Sequence, residues 1–347
     1  MRILNAMLGR GLGGLEQALL DYAVALTECG HDVHTVIHPN AALRPALLAK
    51  GATLHDLPHV GAWDPLAATR LRWLLRELAP DISIAHGNRA LSLLRVAGAA
   101  PLGAVLANYK IKCAGIAAAF CPTLDLRRHA IEQGLPESSA YHVPYMVDVP
   151  AEPRRHAWRT PPIIGAMGRF VGKKGFDVFV NGLARLQANG TAFRAILAGD
   201  GPERGALERL AVERRLGDVL SFLGWVTDKP AFFADIDLFC LPSHHEPFGI
   251  VLIEAMAHGL PIVATDSEGP TEILHDGIDG MIVPRGDVVR LAQVLGGLIA
   301  DRDNAETLAG NAYRHVRTTY DVPRVGARLD LAVREIVERA GRFEATG

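Results

Sequence analysis

The chain has 347 residues, of which 49% are apolar and 21% charged, and its formal net charge is −2. The length suits two domains of roughly 150 residues, the composition excludes wholesale disorder, and the charge gives no reason to expect nucleic acid as a partner. The longest uncharged apolar run, residues 96–107, contains Pro101 and falls short of the ~20 residues that a membrane span needs.

The opening segment MRILNAMLGRG is too short and broken for a secretory leader. Cys29, Cys113, Cys121 and Cys240 show neither CxxC nor metal-ligand spacing and read as reduced thiols. A cytoplasmic protein is expected.

In the first half, short apolar runs predict strands over 3–7, 33–37, 82–85, 104–107 and 116–120. Helical patterns fall between them, over 14–29, 65–78 and 124–133. Strands alternating with helices of this length imply a parallel sheet wound with crossover helices. From Pro144 to Pro162 the periodicity stops and prolines accumulate, which marks a linker. The alternation restarts with strands over 163–168, 194–198, 220–223, 238–241, 262–265 and 281–283, and helices over 175–188, 203–214, 249–258 and 288–298. The chain therefore reads as α/β, with two doubly wound parallel-sheet domains over 1–150 and 151–325 facing a cleft. A final segment, 326–347, carries a helix over roughly 325–340 that can pack back on the N-terminal domain.

Each glycine-rich stretch falls at the carboxyl end of a strand, where such folds bind ligands. The first, 9-GRGLGG-14, satisfies G-x-G-x-x-G through Gly9, Gly11 and Gly14. A nicotinamide reading also wants an acid after the second strand, and His38 stands there instead. Two readings remain: a backbone nest approaching a phosphate or sugar, or a tight turn without a ligand. The second stretch, 165-GAMGRFVGKKGFD-177, sets Gly168, Arg169, Lys173 and Lys174 before a helix, a donor set suited to a diphosphate. The turn in 198-AGDGPERGAL-207 is equally readable as structural or ligand-binding. Trp225 in 224-GWVTD-228 is either a stacking platform for a base or a core residue.

The most informative stretch is 242-PSHHEPFGIVLIEAMAHGLP-261. Glu246 and Glu254 stand eight residues apart around Pro247-Phe248-Gly249, and Glu254 sits amid an apolar helical rhythm where an unpartnered acid is costly. A helix opening at Gly249 and Ile250 points free N–H groups at an anion. Glu246 then accepts from hydroxyls attached to that anion, and Glu254 from the vicinal hydroxyls of a ribose. A nucleotide-sugar fits that spacing.

These landmarks, in this order, resemble the family 4 retaining glycosyltransferases of the two-Rossmann GT-B fold, over nearly the whole chain. The E-x7-E element with PFG inside is the most specific part. The run Gly168-Arg169…Lys174-Gly175, AGDGPER, FLGWV and 269-GPTEILHDGIDG-280 add to it. The resemblance implies that Arg169 and Lys174 neutralise the leaving diphosphate and that the Gly249 and Ile250 amides support the same phosphates. It implies that Glu246 holds sugar hydroxyls and Glu254 the ribose, with Phe248 in the same donor corner. Trp225 and Val226 would border the base, and Gly13 and Gly14 would approach the donor from the first domain. The donor would be a UDP-, GDP- or ADP-sugar. Departure of a charged diphosphate needs positive preorganisation more than a proton, so no metal or other cofactor is expected. The D-x-D look of 235-DID-237 leads into a buried strand and is not read as a metal site.

Many relatives carry a histidine after the fourth or fifth strand of the first domain, where this chain has Asn108 and Tyr109. His86, ending an earlier strand, is the alternative catalytic or acceptor-side candidate, against an ordinary strand-end histidine. Arg70, Arg72 and Arg76 flank Leu71, Trp73, Leu74, Leu75 and Leu78, and Lys110, Lys112, Arg127 and Arg128 add charge. This basic domain suits peripheral contact with the inner face of a membrane and a glycan or lipid-linked acceptor. The expected function is transfer of a hexose in envelope polysaccharide or lipopolysaccharide synthesis. A sugar-nucleotide epimerase of the same fold and a non-catalytic nucleotide-sugar binding protein are the competing readings.

Overall fold

The computed structural model describes residues 1–60, 64–153 and 158–344. Residues 154–157 of the expected linker and 345–347 of the terminal segment lie outside the described residues. The chain divides into two compact units, one formed by 1–146 with 322–347 and the other by 147–321.

The first unit holds seven strands, β1 (Arg2–Met7), β2 (Asp32–Ile37), β3 (Thr53–Asp56), β4 (Ile82–His86), β5 (Leu102–Val105), β6 (Ala118–Cys121) and β7 (Ala140–His142). They pair in the order β3-β2-β1-β4-β5-β6-β7, all parallel. Helices α1 (Gly14–Glu28), α2 (Arg44–Ala49), α3 (Pro65–Leu78), α4 (Asn88–Ala97) and α5 (Leu124–Glu132) connect them. Sheets covered on both faces read as continuous apolar runs rather than alternating ones, and β4, β5 and β6 are buried at every residue. The expected strands over 104–107 and 116–120 lie two residues earlier and about two later than read, at Leu102–Val105 and Ala118–Cys121. Apolar continuity marks a buried strand's presence but not its register. Short edge strands β3 and β7 and helices α2 and α4 left no strong periodic signal.

The second unit holds β8 (Ile163–Met167), β9 (Arg194–Ala198), β10 (Leu220–Gly224), β11 (Leu238–Leu241), β12 (Ile262–Thr265) and β13 (Met281–Val283), in the order β10-β9-β8-β11-β12-β13 and again parallel. Around it lie α6 (Phe176–Ala188), α7 (Arg204–Glu213), α8 (Lys229–Ala234), α9 (Ile250–Ala257), α10 (Glu268–Ile273), α11 (Val288–Ala300) and α12 (Arg302–Thr319). Helix α12 went unread because its buried stripe is built mostly of small residues: Ala305, Leu308, Ala309, Ala312, Tyr313 and Val316. That spacing is helical, and the Asp301 carboxylate caps its start by accepting from the Asn304 N–H at 3.1 Å.

The last helix, α13 (Val322–Glu344), belongs to the first unit and packs on α1. Gly326 makes the close approach possible: a β-carbon there would lie 3.2 Å from that of Ala25. His31 Nε2 and Asp330 Oδ1, 2.6 Å apart, tie the same pair together. Both units are therefore Rossmann-like α/β domains.

Candidate active site

In each sheet the strand order reverses at the centre, between β1 and β4 and between β8 and β11. Ligands of open α/β sheets bind beyond the carboxyl ends of strands at that switch point.

In the second unit, the loops leaving β8 and β11 are sewn together. The Lys173 carbonyl accepts from the His244 and His245 N–H groups at 2.9 and 3.0 Å. Gly175 permits this, since a β-carbon there would strike the Pro242 carbonyl oxygen at 2.1 Å. The register brings Lys174, on the 3-10 turn Gly172–Lys174, against Glu246, and their side chains form an ion pair. Glu246 is only 6% exposed. Its second support is the Ser243 hydroxyl at 3.3 Å from the same oxygen. From the other side, the Glu268 carboxylate accepts from the Glu246 N–H at 3.1 Å, and the Gly269 N–H donates to the Glu246 carbonyl at 2.7 Å. Glu268 loses solvation there, yet its own and the Glu246 N–H groups and His245 hold its carboxyl below the usual range.

Pro247 and the buried Phe248 lead to Gly249, whose φ of 97° is left-handed backbone that a side chain would strain. That conformation starts α9 at Ile250, where the first N–H groups of a helix lack i→i−4 partners within it. One turn on, Glu254 Oε1 pairs with Lys229 Nζ at 2.6 Å. Its other oxygen is buried and has no hydrogen-bond partner among the described residues. A half-satisfied carboxylate is an acceptor awaiting a donor. Lys229 escaped the sequence reading. A lysine following Asp228 at the start of a short helix looks like solvated surface, and only the fold sets it beside residue 254.

Arg169 follows Gly168 directly and is exposed; its carbonyl accepts from the Val171 N–H at 2.9 Å, while its side chain makes no hydrogen bond or ion pair among the described residues. Trp225 is 49% exposed beyond β10, on the surface rather than in the core, with Val226 partly buried beside it. The Gly-Asp-Gly turn has a structural reason: a β-carbon on Gly199 would lie 1.9 Å from the Gly168 carbonyl oxygen, and the Asp200 carbonyl accepts from the Phe170 N–H at 2.9 Å. Asp237 is 2% exposed and accepts from the Ile163 N–H at 2.8 Å and from Arg159 at 3.3 Å, as a strand-entry anchor.

In the first unit, Gly13 and Gly14 are exposed at the start of α1. The loop before them wraps the carboxylate of Glu16: a β-carbon on Gly9 or Gly13 would lie 2.6 or 3.0 Å from its oxygens. His38 accepts from the Asn40 N–H at 3.0 Å, and no acid takes the place a nicotinamide ribose would need. His86 is 1% exposed; its Nε2 meets Asn5 Oδ1 at 2.7 Å, and Tyr22 stands edge-on at 5.0 Å. Burial drives its pKa down to about 3, so it is a neutral core imidazole. Tyr109 donates to the Asp125 carboxylate, and Asn108 accepts from the Lys110 N–H at 2.9 Å. On α3, Leu71 and Leu78 are buried while Trp73 is 69% exposed.

Residues 148–315 match the profile of the Glycosyl transferases group 1. The lipopolysaccharide core biosynthesis glycosyltransferase LpsD of Rhizobium meliloti (strain 1021) is 30% identical over 341 residues, 94% of this chain and 97% of that protein. LpsE of the same strain, likewise a lipopolysaccharide core biosynthesis glycosyltransferase, is 38% identical over 148 residues, covering 43% of this chain and 42% of LpsE. Among solved structures, Anabaena HepE in complex with UDP and glucose superposes with a TM-score of 0.84 at 20% identity, over 96% of this chain and 100% of HepE. The chain is a member of the group 1 glycosyltransferases, with the two Rossmann-like domains of the GT-B fold.

Proposed function

We propose that this protein is a retaining, metal-independent hexosyltransferase that moves a sugar from a nucleoside-diphosphate donor to a glycan or lipid-linked acceptor in lipopolysaccharide synthesis. The observation that carries the reading is the partly buried Lys174–Glu246 pair together with Glu254, eight residues on, whose second oxygen is buried without a hydrogen-bond partner among the described residues. In the free protein Lys174 neutralises Glu246. A donor diphosphate brings more charge than one carboxylate and competes for that ammonium. Arg169, unpaired and exposed, adds a second cation, and the start of α9 adds N–H groups. Glu246, released from Lys174, then accepts from sugar hydroxyls. Glu254, paired with Lys229 through one oxygen, offers the other to a ribose hydroxyl. Charge appearing on the leaving diphosphate meets preorganised cations, the largest single contribution in such sites.

Trp225, Val226, Phe248, Gly249 and Ile250 complete the donor side. UDP is the first nucleotide to test, because HepE was solved with it. LpsD and LpsE act in lipopolysaccharide core synthesis, which supports an envelope acceptor. The exposed Trp73 among Arg70, Arg72 and Arg76 supports contact with an anionic inner leaflet. No helix among the described residues is long and apolar enough to cross a membrane. His86, buried and neutral, takes no part in this mechanism.

The test is nucleotide release by purified protein, without added metal, across UDP-, GDP- and ADP-sugars. Slow hydrolysis of one donor, lost in Glu246→Ala, is expected. Tight donor binding with no release, even with lipopolysaccharide-type acceptors added, would instead identify a nucleotide-sugar sensor.

A further inference from the structure

Behind the donor corner, the second unit carries a cluster that the transfer reaction does not use. Asp279 is 3% exposed, in the loop between α10 and β13. One of its oxygens, Oδ2, lies 2.8 Å from His275 Nδ1 and 2.9 Å from His315 Nδ1, on α12. The other oxygen accepts from the His275 N–H at 2.7 Å. No lysine or arginine pairs with this carboxylate among the described residues, so a nearly buried anion has only two imidazoles to compensate it.

We propose that His275, Asp279 and His315 form a binding site for a transition-metal ion of the zinc class. Two imidazoles and a carboxylate suit Zn2+, whereas Mg2+ and Ca2+ prefer sets made wholly of oxygen. The three ligating atoms all lie within 4.8 Å of one another. Around a tetrahedral ion with bonds of ~2.0–2.1 Å, ligand atoms stand roughly 3.3 Å apart, so each imidazole must withdraw from Asp279 by about half an ångström, and the two ring nitrogens, no more than 4.8 Å apart, must settle to the same spacing. The ion takes Nδ1 of each ring, and in neutral imidazole the proton then rests on Nε2. The His275 side chain is 62% exposed, which leaves an open side for a water as fourth ligand.

The scaffold is already rigid enough to hold three ligands. The Gly277 N–H donates to the Gly280 carbonyl at 2.8 Å, and the Ile282 N–H to the Asp276 carboxylate at 2.7 Å. Asn311 of α12 donates to the Ile278 carbonyl at 2.7 Å, locking the loop to the helix that carries His315. His315 also faces Tyr320, 5.6 Å between ring centroids, and Tyr320 faces Phe248 at 6.0 Å. An ion here braces the Pro247-Phe248-Gly249 corner from behind without touching a donor. The site stands whether or not the proposed transfer reaction is correct.

The experiment uses untagged full-length protein, stripped with EDTA and titrated with Zn2+ alone by calorimetry, with Co2+ as a spectroscopic substitute. One equivalent of Zn2+ is expected at micromolar concentration, a higher Tm on its addition, and visible Co2+ bands of a four-coordinate site. Removing a ligand should weaken binding by at least the ~10- to 100-fold lost with an outer-shell partner. His275→Ala, at an exposed position, and His315→Gln should therefore both lose the Zn2+-dependent rise in Tm. Absence of binding by the wild-type protein overturns the proposal. So does binding unchanged in both variants, since that places the metal on other histidines of the 14 in the chain.

Discussion

The two units reverse strand order at equivalent places, yet opposite chemistry stands at the two switch points. After β1, a glycine loop closes around its own acid, Glu16, and the neighbouring strand β4 ends in the buried, neutral His86. After β8, the loop presents Arg169 and Lys174, and β11 leads to Glu246, which pairs with Lys174. The topology supplies a crevice in both; the side chains decide which can receive an anion. On the proposed reading, a glycine-rich turn alone predicts phosphate binding poorly, and a turn that carries cations predicts it better.

The comparison breaks most sharply at Lys174. Replacing it with alanine removes a cation from developing charge, worth about 2.7–4 kcal/mol, or ~100- to 1,000-fold in kcat. It also strands the buried Glu246, so thermal stability should fall. If Lys174→Ala turns over the donor at the wild-type rate, the second switch point is no better an anion site than the first. Next is Glu254→Ala, which should weaken nucleotide binding by about 1.5–3 kcal/mol, read by calorimetry with the nucleoside diphosphate. Lys229→Met should show part of that loss, because it leaves Glu254 buried without its cation.

The first switch point has its own signature, in pH. Unfolded His86 protonates near pH 6.5, while in the folded protein it does so only near pH 3. Between those values the unfolded chain binds the extra proton, so stability falls as pH drops through that window. The slope is at most about 1.4 kcal/mol per pH unit for this group. His38, His55 and His59 are also lowered, chiefly by burial, and act in the same direction. The readout is thus the difference between wild type and His86→Asn in urea midpoints across the acid range. Equal slopes would show that His86 is not buried neutral. The smallest effect belongs to Glu16→Gln. If the glycine loop holds no phosphate, nucleotide affinity should move by less than ~0.5 kcal/mol, whereas a large gain on removing the acid would make the two loops alike.

Much of the candidate site was legible because it is local. The glycines at 168, 175 and 249, the cations at 169 and 174, and the two glutamates lie in two short stretches, each at the end of an apolar run. Helix α12 was legible too, at Ala305, Leu308, Ala309 and Ala312, but small residues weaken a periodic signal that relies on bulk. Lys229 and the His275–Asp279–His315 cluster were not legible. Nothing in local spacing distinguishes a lysine that meets a half-buried glutamate 25 residues away from one that meets water. His86 illustrates the same limit, since its place at a strand end suits a ligand and a core equally.

What the sequence alone determined is the alternation of strand and helix, the position of glycine and charge at strand ends, and the class of chemistry those residues serve. These depend on backbone propensity and on neighbours a few residues apart. Only the tertiary structure decided which of those groups are paired, which are buried and which remain open to a ligand. That Lys174 reaches Glu246, that Glu254 keeps one oxygen free, and that His86 has lost its proton all follow from parallel strands bringing distant loops together. Burial and long-range pairing set charge states, and neither is a property of any short stretch of chain.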